Sequence, residues 1–252
     1  MKENKEPTWY ERENDWVLRK SIIFNKHLIK LTFLEVARIL KLIGQIPNSG
    51  KILDLCCGIG RHALEFARKG YQVTAVDITK DYLDTAKLKA EKEGLDITFI
   101  RENMRDFCAP NSFDLIVNLC TSFGYMDTIE EDLQVLRNVH SSLKQNGIFL
   151  MELLGKEVIA RNFKENEEFE EDGKKVVAES RIVDDWNKLI CKRTIFDNDG
   201  PKQITVAHRL YSAKELTTYL FQIGFRDINV FGDFGGNPYD SYAKSMIITA
   251  RK

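Results

Sequence analysis

Two carboxylates and two glycines, close together along the chain, carry the chemistry most readily read from this sequence. The stretch Lys51-Ile52-Leu53-Asp54-Leu55-Cys56-Cys57-Gly58-Ile59-Gly60-Arg61-His62-Ala63 is answered, at the end of the next apolar run, by Val73-Thr74-Ala75-Val76-Asp77. Glycines at 58 and 60 let the backbone turn tightly and approach a ligand with no Cβ in the way, and a helix opening at Arg61 aims its free amide N–H groups into the same gap. Asp77, one helix and one strand further on, stands where an acid suits the two hydroxyls of a ribose. The pattern is that of a βαβ unit holding an adenosine. Asp54 narrows the occupant, because a carboxylate ahead of the glycines repels a dinucleotide's pyrophosphate and attracts a ligand that bears an ammonium or sulfonium.

Positioning those residues requires alternating elements, and the periodicity supplies them. Strands are expected at 51–55, 72–76, 96–100, 113–118 and 147–153, with helices at 61–69, 80–92 and 129–143 between them, which predicts a parallel, doubly wound sheet. Leu28 to Ile43 reads as a preceding helix, with Thr32-Phe33-Leu34-Glu35 as its capping box; Thr128-Ile129-Glu130-Glu131 and Ser212-Ala213-Lys214-Glu215 open two later helices in the same way. Beyond Gly155 the pattern changes. An acidic run, Glu165 to Asp172, reads as a solvated edge. Strand-like segments follow at 175–183, 188–196 and 203–211, divided by Asp172-Gly173, Asp184-Asp185 and Asn198-Asp199-Gly200-Pro201. This predicts a small antiparallel β insertion. A helix stopped by Gly224 then leads to Phe225–Val230 and Ala243–Ala250, which are placed to close the sheet as an antiparallel hairpin. The expected organisation is therefore a core made of 1–155 and 212–252, N-terminal helices included, with 156–211 inserted over the active site.

Composition sets bounds on partners. The chain has 252 residues, 43% of them apolar, and a formal net charge of −1, which supplies a substantial core and no basic stripe for nucleic acid. The N-terminal Met1-Lys2-Glu3-Asn4-Lys5-Glu6 is charged and no run has the length of a membrane span, so the expectation is a cytoplasmic protein. Five cysteines (56, 57, 108, 120 and 191) form no paired C-x-x-C set, and neither a disulfide framework nor a metal site is expected.

With Asp54-Leu55-Cys56-Cys57-Gly58-Ile59-Gly60-Arg61-His62 followed by Gly70-Tyr71-Gln72-Val73-Thr74-Ala75-Val76-Asp77, the chain resembles the class I S-adenosylmethionine-dependent methyltransferases. Asn103-Met104-Arg105-Asp106, Phe113-Asp114-Leu115-Ile116-Val117-Asn118 and Thr121-Ser122-Phe123-Gly124-Tyr125 extend the match, which is strong over about 50–155 and weaker over 208–252. Small-molecule members with a β insertion after the fifth strand, including glycine- and aminosugar-N-methylating types, are similar in plan. The resemblance implies a Rossmann-like seven-stranded α/β fold with S-adenosylmethionine as cofactor. It implies that Asp54 and the backbone around Cys56, Gly58 and Gly60 hold the methionine part, that Asp77 takes both ribose hydroxyls, that Ile78 covers the adenine and that the carbonyl near Leu119 meets the methionine ammonium. Asn103 stands where the family usually has Asp; its amide oxygen is expected to accept from the adenine amino group, with Met104 packed on the ring.

Methyl transfer from a sulfonium is an in-line displacement in which the protein aligns an acceptor lone pair and excludes water. On the resemblance, Tyr125 lies where the acceptor sits. Arg209 and Tyr211 share one face by period two and are candidates for an anionic or hydroxylated substrate, with His208 pointing the other way. Trp9, Tyr10 and Trp186 are candidate roof residues, suited by their ring faces to a cation. The function expected is methyl transfer to a nitrogen or oxygen of a small-molecule acceptor; the alternatives are a nicotinamide-dependent oxidoreductase and a non-catalytic cofactor-binding module.

Overall fold

The computed structural model describes residues 7–44, 46–197 and 199–252; the charged stretch 1–6 and Asn198 of the third turn signal lie outside them. A short 3₁₀ turn at Trp9–Glu11 leads into two helices, α1 (Glu13–Ile23) and α2 (Lys26–Ile43). The cap of α2 is Asn25, whose side chain accepts from the Leu28 N–H at 3.0 Å. Thr32 and Glu35 therefore do not form the expected capping box. Thr32 lies inside the helix and donates to the Leu28 carbonyl, while Glu35 is drawn to Arg61 and His62.

The alternating pattern then unfolds as β1 (Lys51–Leu55), α3 (Arg61–Arg68), β2 (Gln72–Asp77), α4 (Lys80–Glu93), β3 (Ile97–Arg101), β4 (Phe113–Asn118), α5 (Ile129–Ser142) and β5 (Leu143–Leu153). After the helix α6 (Lys156–Asn162) come β6 (Asn166–Glu171), β7 (Lys174–Val183), β8 (Lys188–Asp197) and β9 (Gly200–Arg209), then α7 (Ala213–Ile223), β10 (Arg226–Phe231) and β11 (Met246–Arg251). Seven strands form one sheet in the order β10-β11-β5-β4-β1-β2-β3. β1 to β5 run parallel and β11 runs antiparallel to both its neighbours, closing the hairpin expected from the sequence. The sheet is buried on both faces by period two: Leu53, Ile116, Phe149 and Met151 face one apolar layer, and Ile52, Leu115, Ile148 and Leu150 the other. Such strands read as continuous apolar runs for that reason. The capping boxes at Thr128 and Ser212 form as expected.

Between β1 and β4 the strand order reverses, and a crevice must open beyond the carboxyl end of β1, since the connections leave in opposite directions there. The second sheet is antiparallel, in the order β6-β7-β8-β9. The acidic run is its edge strand β6, with Glu168 paired to Lys175 of β7 at 2.9 Å. The inner face of this sheet, Val176, Ile195 and Ile204, packs on Leu18 and Ile22 of α1, so α1 is held between the small sheet and the crevice. α6 was not expected from the sequence. It docks onto the glycine-rich segment before β11, through Arg161 to the Ser241 and Ala243 carbonyls and Glu157 to the Tyr239 hydroxyl. No described helix is long and apolar enough to cross a membrane.

Candidate active site

The crevice beyond β1 is built on a strained turn. Cys56 adopts φ +66°, Gly58 φ +56° and Gly60 φ +74°. Gly58 cannot be replaced at no cost, because a Cβ there would lie 2.5 Å from the ring of Phe24, the residue joining α1 to α2. Gly60 has a different role: it caps α3 and would drive a Cβ into Ala86 of α4 at 2.8 Å, so it is packed between helices and is not among the residues lining the cleft.

Asp77, at the tip of β2, is fixed beside this turn by backbone donors. The Gly58 N–H reaches Oδ2 and the Thr79 N–H reaches Oδ1, each at 2.8 Å. Burial pushes its carboxyl upward, and the hydrogen bonds from Thr79 and Gly58 oppose that. Each oxygen keeps a further lone pair for a ligand hydroxyl. Asp54 is 2% exposed and its Oδ2 has no hydrogen-bond partner. Burial raises it from 3.8 to about 7, with the Arg61 guanidinium pulling the other way. Beside it, Asn118 donates to the Leu55 carbonyl at 3.1 Å and leaves its own Oδ1 unpartnered. The orphaned buried acceptor of Asp54, which lines the cleft at the end of β1, matches a donor-rich cation such as an ammonium.

The remaining cofactor candidates line the same cleft: Tyr10, Cys56, Ile78, Asn103, Met104 and Leu119. Two are already partly engaged, since the Asn103 Oδ1 accepts from the Arg105 N–H at 3.0 Å and the Leu119 carbonyl accepts from the Ser122 hydroxyl at 2.7 Å. The Met104 sulfur lies 3.4 Å from that of Cys56. Burial drives the thiols of Cys56 and Cys57 well above their ordinary value, so both stay neutral. No group of described residues could hold a metal ion.

Arg61 props the turn from below. Its guanidinium pairs with Glu35, with Thr32 at 3.0 Å and with the Cys120 sulfur at 3.0 Å. His62 meets the same carboxylate at 3.0 Å and is lowered to about 4 by burial, which leaves it neutral. Burial would raise Glu35, but the His62 hydrogen bond and the Arg61 charge bring it below its usual range.

At the opposite wall, Tyr125 stands edge-on to Trp9 with ring centres 4.9 Å apart and near Trp16 at 5.9 Å. Its hydroxyl donates to the Thr121 carbonyl at 2.6 Å, and burial pushes it up to about 12 against the pull of Arg19. Arg209 and Tyr211 do share an orientation, but the structure places neither among the lining residues. Both turn to Asp132 of α5, a fully buried carboxylate, at 3.3 and 2.8 Å. Close approach of the chain sets this: the Arg209 N–H donates to the Gly124 carbonyl at 2.6 Å, which leaves the side chain facing α5. It is His208, on the inner face of the small sheet, that packs on Tyr125 at 6.2 Å. Trp186 lies apart, half exposed against Phe163. Trp16, Arg19, Phe24 and Tyr82 also line the cleft; the spacing of Trp16, Arg19 and Ile23 on α1 is the signal for them that the sequence holds.

A doubly wound sheet with a reversed antiparallel hairpin and a carboxylate-flanked crevice at its switch point is the architecture of the class I methyltransferases. Residues 52–147 match the family described as "Methyltransferase domain". Over its parallel sheet and crevice the chain is thus similar to S-adenosylmethionine-dependent methyltransferases. It is 26% identical over 213 residues to the protein YqeM of Bacillus subtilis (strain 168), whose name calls it a methyltransferase, covering 82% of this chain and 86% of that one. It is 24% identical over 207 residues to a glycine/sarcosine N-methyltransferase of Aphanothece halophytica, covering 80% and 76%. Its fold is similar to that of an S-adenosylmethionine-dependent methyltransferase from Clostridium acetobutylicum ATCC 824, with a TM-score of 0.75, 16% identity and coverage of 88% and 91%.

Proposed function

We propose that the crevice at the end of β1 binds S-adenosylmethionine and that the enzyme transfers a methyl group to a nitrogen or oxygen of a small-molecule acceptor. One observation carries this reading: Asp77, held by Gly58 and Thr79, faces the same cleft as the unpartnered Oδ2 of Asp54, so a diol acceptor and an ammonium acceptor stand together. The bound cofactor would supply an electrophilic methyl on a sulfonium. Asp77 would take the ribose hydroxyls and Asp54 the methionine ammonium. Met104, Ile78 and Asn103 would enclose the adenine. The small sheet, which we assign to a cap formed by residues 156–211, would together with α1 exclude water from the acceptor side, where orientation alone contributes several kcal/mol.

Nitrogen is favoured over oxygen as the acceptor atom. A neutral amine needs no strong base, and the groups at the acceptor wall are poorly matched to deprotonate a hydroxyl at pH 7: Tyr125 is engaged and pushed to about 12, and His208 is lowered to about 4 by burial and then by Arg19 and Arg193. The relative named as a glycine/sarcosine N-methyltransferase supports the same choice. The test is calorimetric titration of wild type and Asp77→Ala with S-adenosylmethionine, S-adenosylhomocysteine and NAD. Binding of both adenosyl ligands but not NAD, weakened at least tenfold in Asp77→Ala, is expected; an Asp77→Ala protein with unchanged affinity would sink the reading.

A further inference from the structure

The cofactor reading leaves two guanidinium groups unused, one lining the cleft and one on the inner face of the small sheet. Arg19 of α1 is 7% exposed, lines the cleft, and has no partner for its Nε or Nη1. Its plane rests on Trp16 at 5.0 Å and Trp9 at 5.9 Å, contacts that hold the group in place and leave its N–H edge free. Arg193 of β8 belongs to the inner face of the small sheet, in register with Ile204 and alternating with Cys191 and Ile195, and its Nε is also buried without a partner. No described carboxylate pairs with either residue.

The contrast with Arg61 is informative. That guanidinium is buried in the same cleft and fully partnered by Glu35, Thr32 and Cys120. Arg19 and Arg193 have no such partners, and they come from two packed surfaces: α1 lies through Leu18 and Ile22 on the sheet face that carries Arg193. Burial lowers Arg19, and the charge of Arg193 lowers it further against the pull of Tyr125. Together they bear on His208 and Tyr125 at the acceptor wall. Burying a charge is unfavourable unless it is paired, and two like charges side by side compound that. An anion between them relieves both costs, and the planar guanidinium edge is shaped to bind carboxylate or phosphate oxygens in pairs.

We propose that Arg19 and Arg193 jointly hold an anionic group, a carboxylate or phosphate, on the methyl acceptor, so that the enzyme acts on small anionic substrates. The proposal rests on the methyltransferase reading of the cleft and adds the substrate class to it. The cofactor's own carboxylate has the same chemistry. Position favours the acceptor: Arg19 and Arg193 come from α1 and the small sheet, the elements packed together beside Tyr125, whereas the orphaned acceptor of Asp54 lies at the end of β1.

The experiment titrates protein saturated with S-adenosylhomocysteine with acetate, benzoate, inorganic phosphate and the uncharged benzamide, reading heat and the fluorescence of Trp9 and Trp16. At least one anion is expected to bind tenfold or more tighter than benzamide, the carboxylate and phosphate arms telling which oxyanion the pair prefers. Arg19→Gln and Arg193→Gln should each lower that affinity about tenfold while changing S-adenosylhomocysteine affinity less than twofold. Should Arg19→Gln fail to fold, Arg193→Gln, on the less buried residue, decides alone. The proposal is overturned if no anion is preferred to benzamide or if the variants bind the anions as wild type does. It is equally overturned if Arg19→Gln weakens S-adenosylhomocysteine but not 5′-methylthioadenosine, which lacks the amino-acid part, because the pair would then clamp the cofactor. Failure of wild type to bind S-adenosylhomocysteine refutes the methyltransferase reading separately, and the anion titration of the free protein still decides the role of the arginines.

Discussion

Asp54 makes cofactor affinity depend on pH in a way that can be worked from the structure. Its carboxyl is raised from 3.8 to about 7 by burial, with an unpartnered Oδ2 at the crevice, which corresponds to roughly 4 kcal/mol against ionisation. About half of the free protein therefore carries a neutral Asp54 at pH 7. An ammonium in contact with the ionised form gains a comparable amount, about 4 kcal/mol at 4 Å and an effective dielectric of 20, and so returns the group to its charged state. Binding then releases a proton below pH 7, and affinity falls about tenfold between pH 8 and pH 6. The perturbation is Asp54→Asn, which keeps the shape and removes the titration. Calorimetric titration of S-adenosylhomocysteine at pH 6, 7 and 8, in buffers of different ionisation heat, reads both affinity and proton release. Wild type should show the tenfold fall and a released proton at pH 6; Asp54→Asn should bind more weakly at pH 8 with a flatter profile. The same pH profile in both proteins would refute the reasoning, because the ligand's own ionisation is common to the two.

Three further outcomes are expected. Gly58→Ala combines a positive φ with a Cβ 2.5 Å from Phe24 and should cost about 3 kcal/mol; thermal unfolding should show part of that loss recovered in Gly58→Ala/Phe24→Leu, and no recovery would mean the clash is not its source. Tyr211→Phe removes the 2.8 Å hydrogen bond to buried Asp132 and should cost about 2 kcal/mol at pH 7. Burial raises Asp132 to about 6 despite Tyr211 and Arg209, so the carboxylate is mostly neutral at pH 5. The folded state binds the proton more tightly than the unfolded chain, and the penalty of ionising it grows from pH 4 upward. Urea unfolding should therefore find a smaller cost for Tyr211→Phe at pH 5 than at pH 7.5. Thr128→Ala removes the cap that accepts from the Glu131 N–H at 3.2 Å and should lower stability by about 1 kcal/mol, read by chemical denaturation, with cofactor affinity unchanged.

How much was legible follows from the range of the contacts. Asp54, Gly58 and Asp77 come together through one βαβ unit, whose parallel register sets Leu55 against Val76, so their proximity is already implied by the local pattern. The capping boxes at Thr128 and Ser212 are equally local. Thr32-Glu35 had the same spacing and failed, because a better cap lies upstream at Asn25 and Glu35 meets Arg61 across the fold. The alternation of His208 against Arg209 could be read from the strand, but not which face looks into the cleft. The small sheet's orientation settles that, through Gly124 and Asp132. Helix α6 has seven residues, too few for a periodic signal.

The sequence by itself determined the layered sheet, the glycine turn and the two carboxylates of the crevice, since each depends on neighbours within a helix and a strand of one another. The tertiary structure alone decided what covers that crevice: α1 laid beneath the small sheet, Phe24 against Gly58, and the unpartnered edges of Arg19 and Arg193 beside Tyr125. The physical reason is that burial and charge pairing are properties of groups brought together from distant parts of the chain. A lone arginine in an amphipathic helix looks the same in sequence whether water, a carboxylate or a substrate receives its N–H groups.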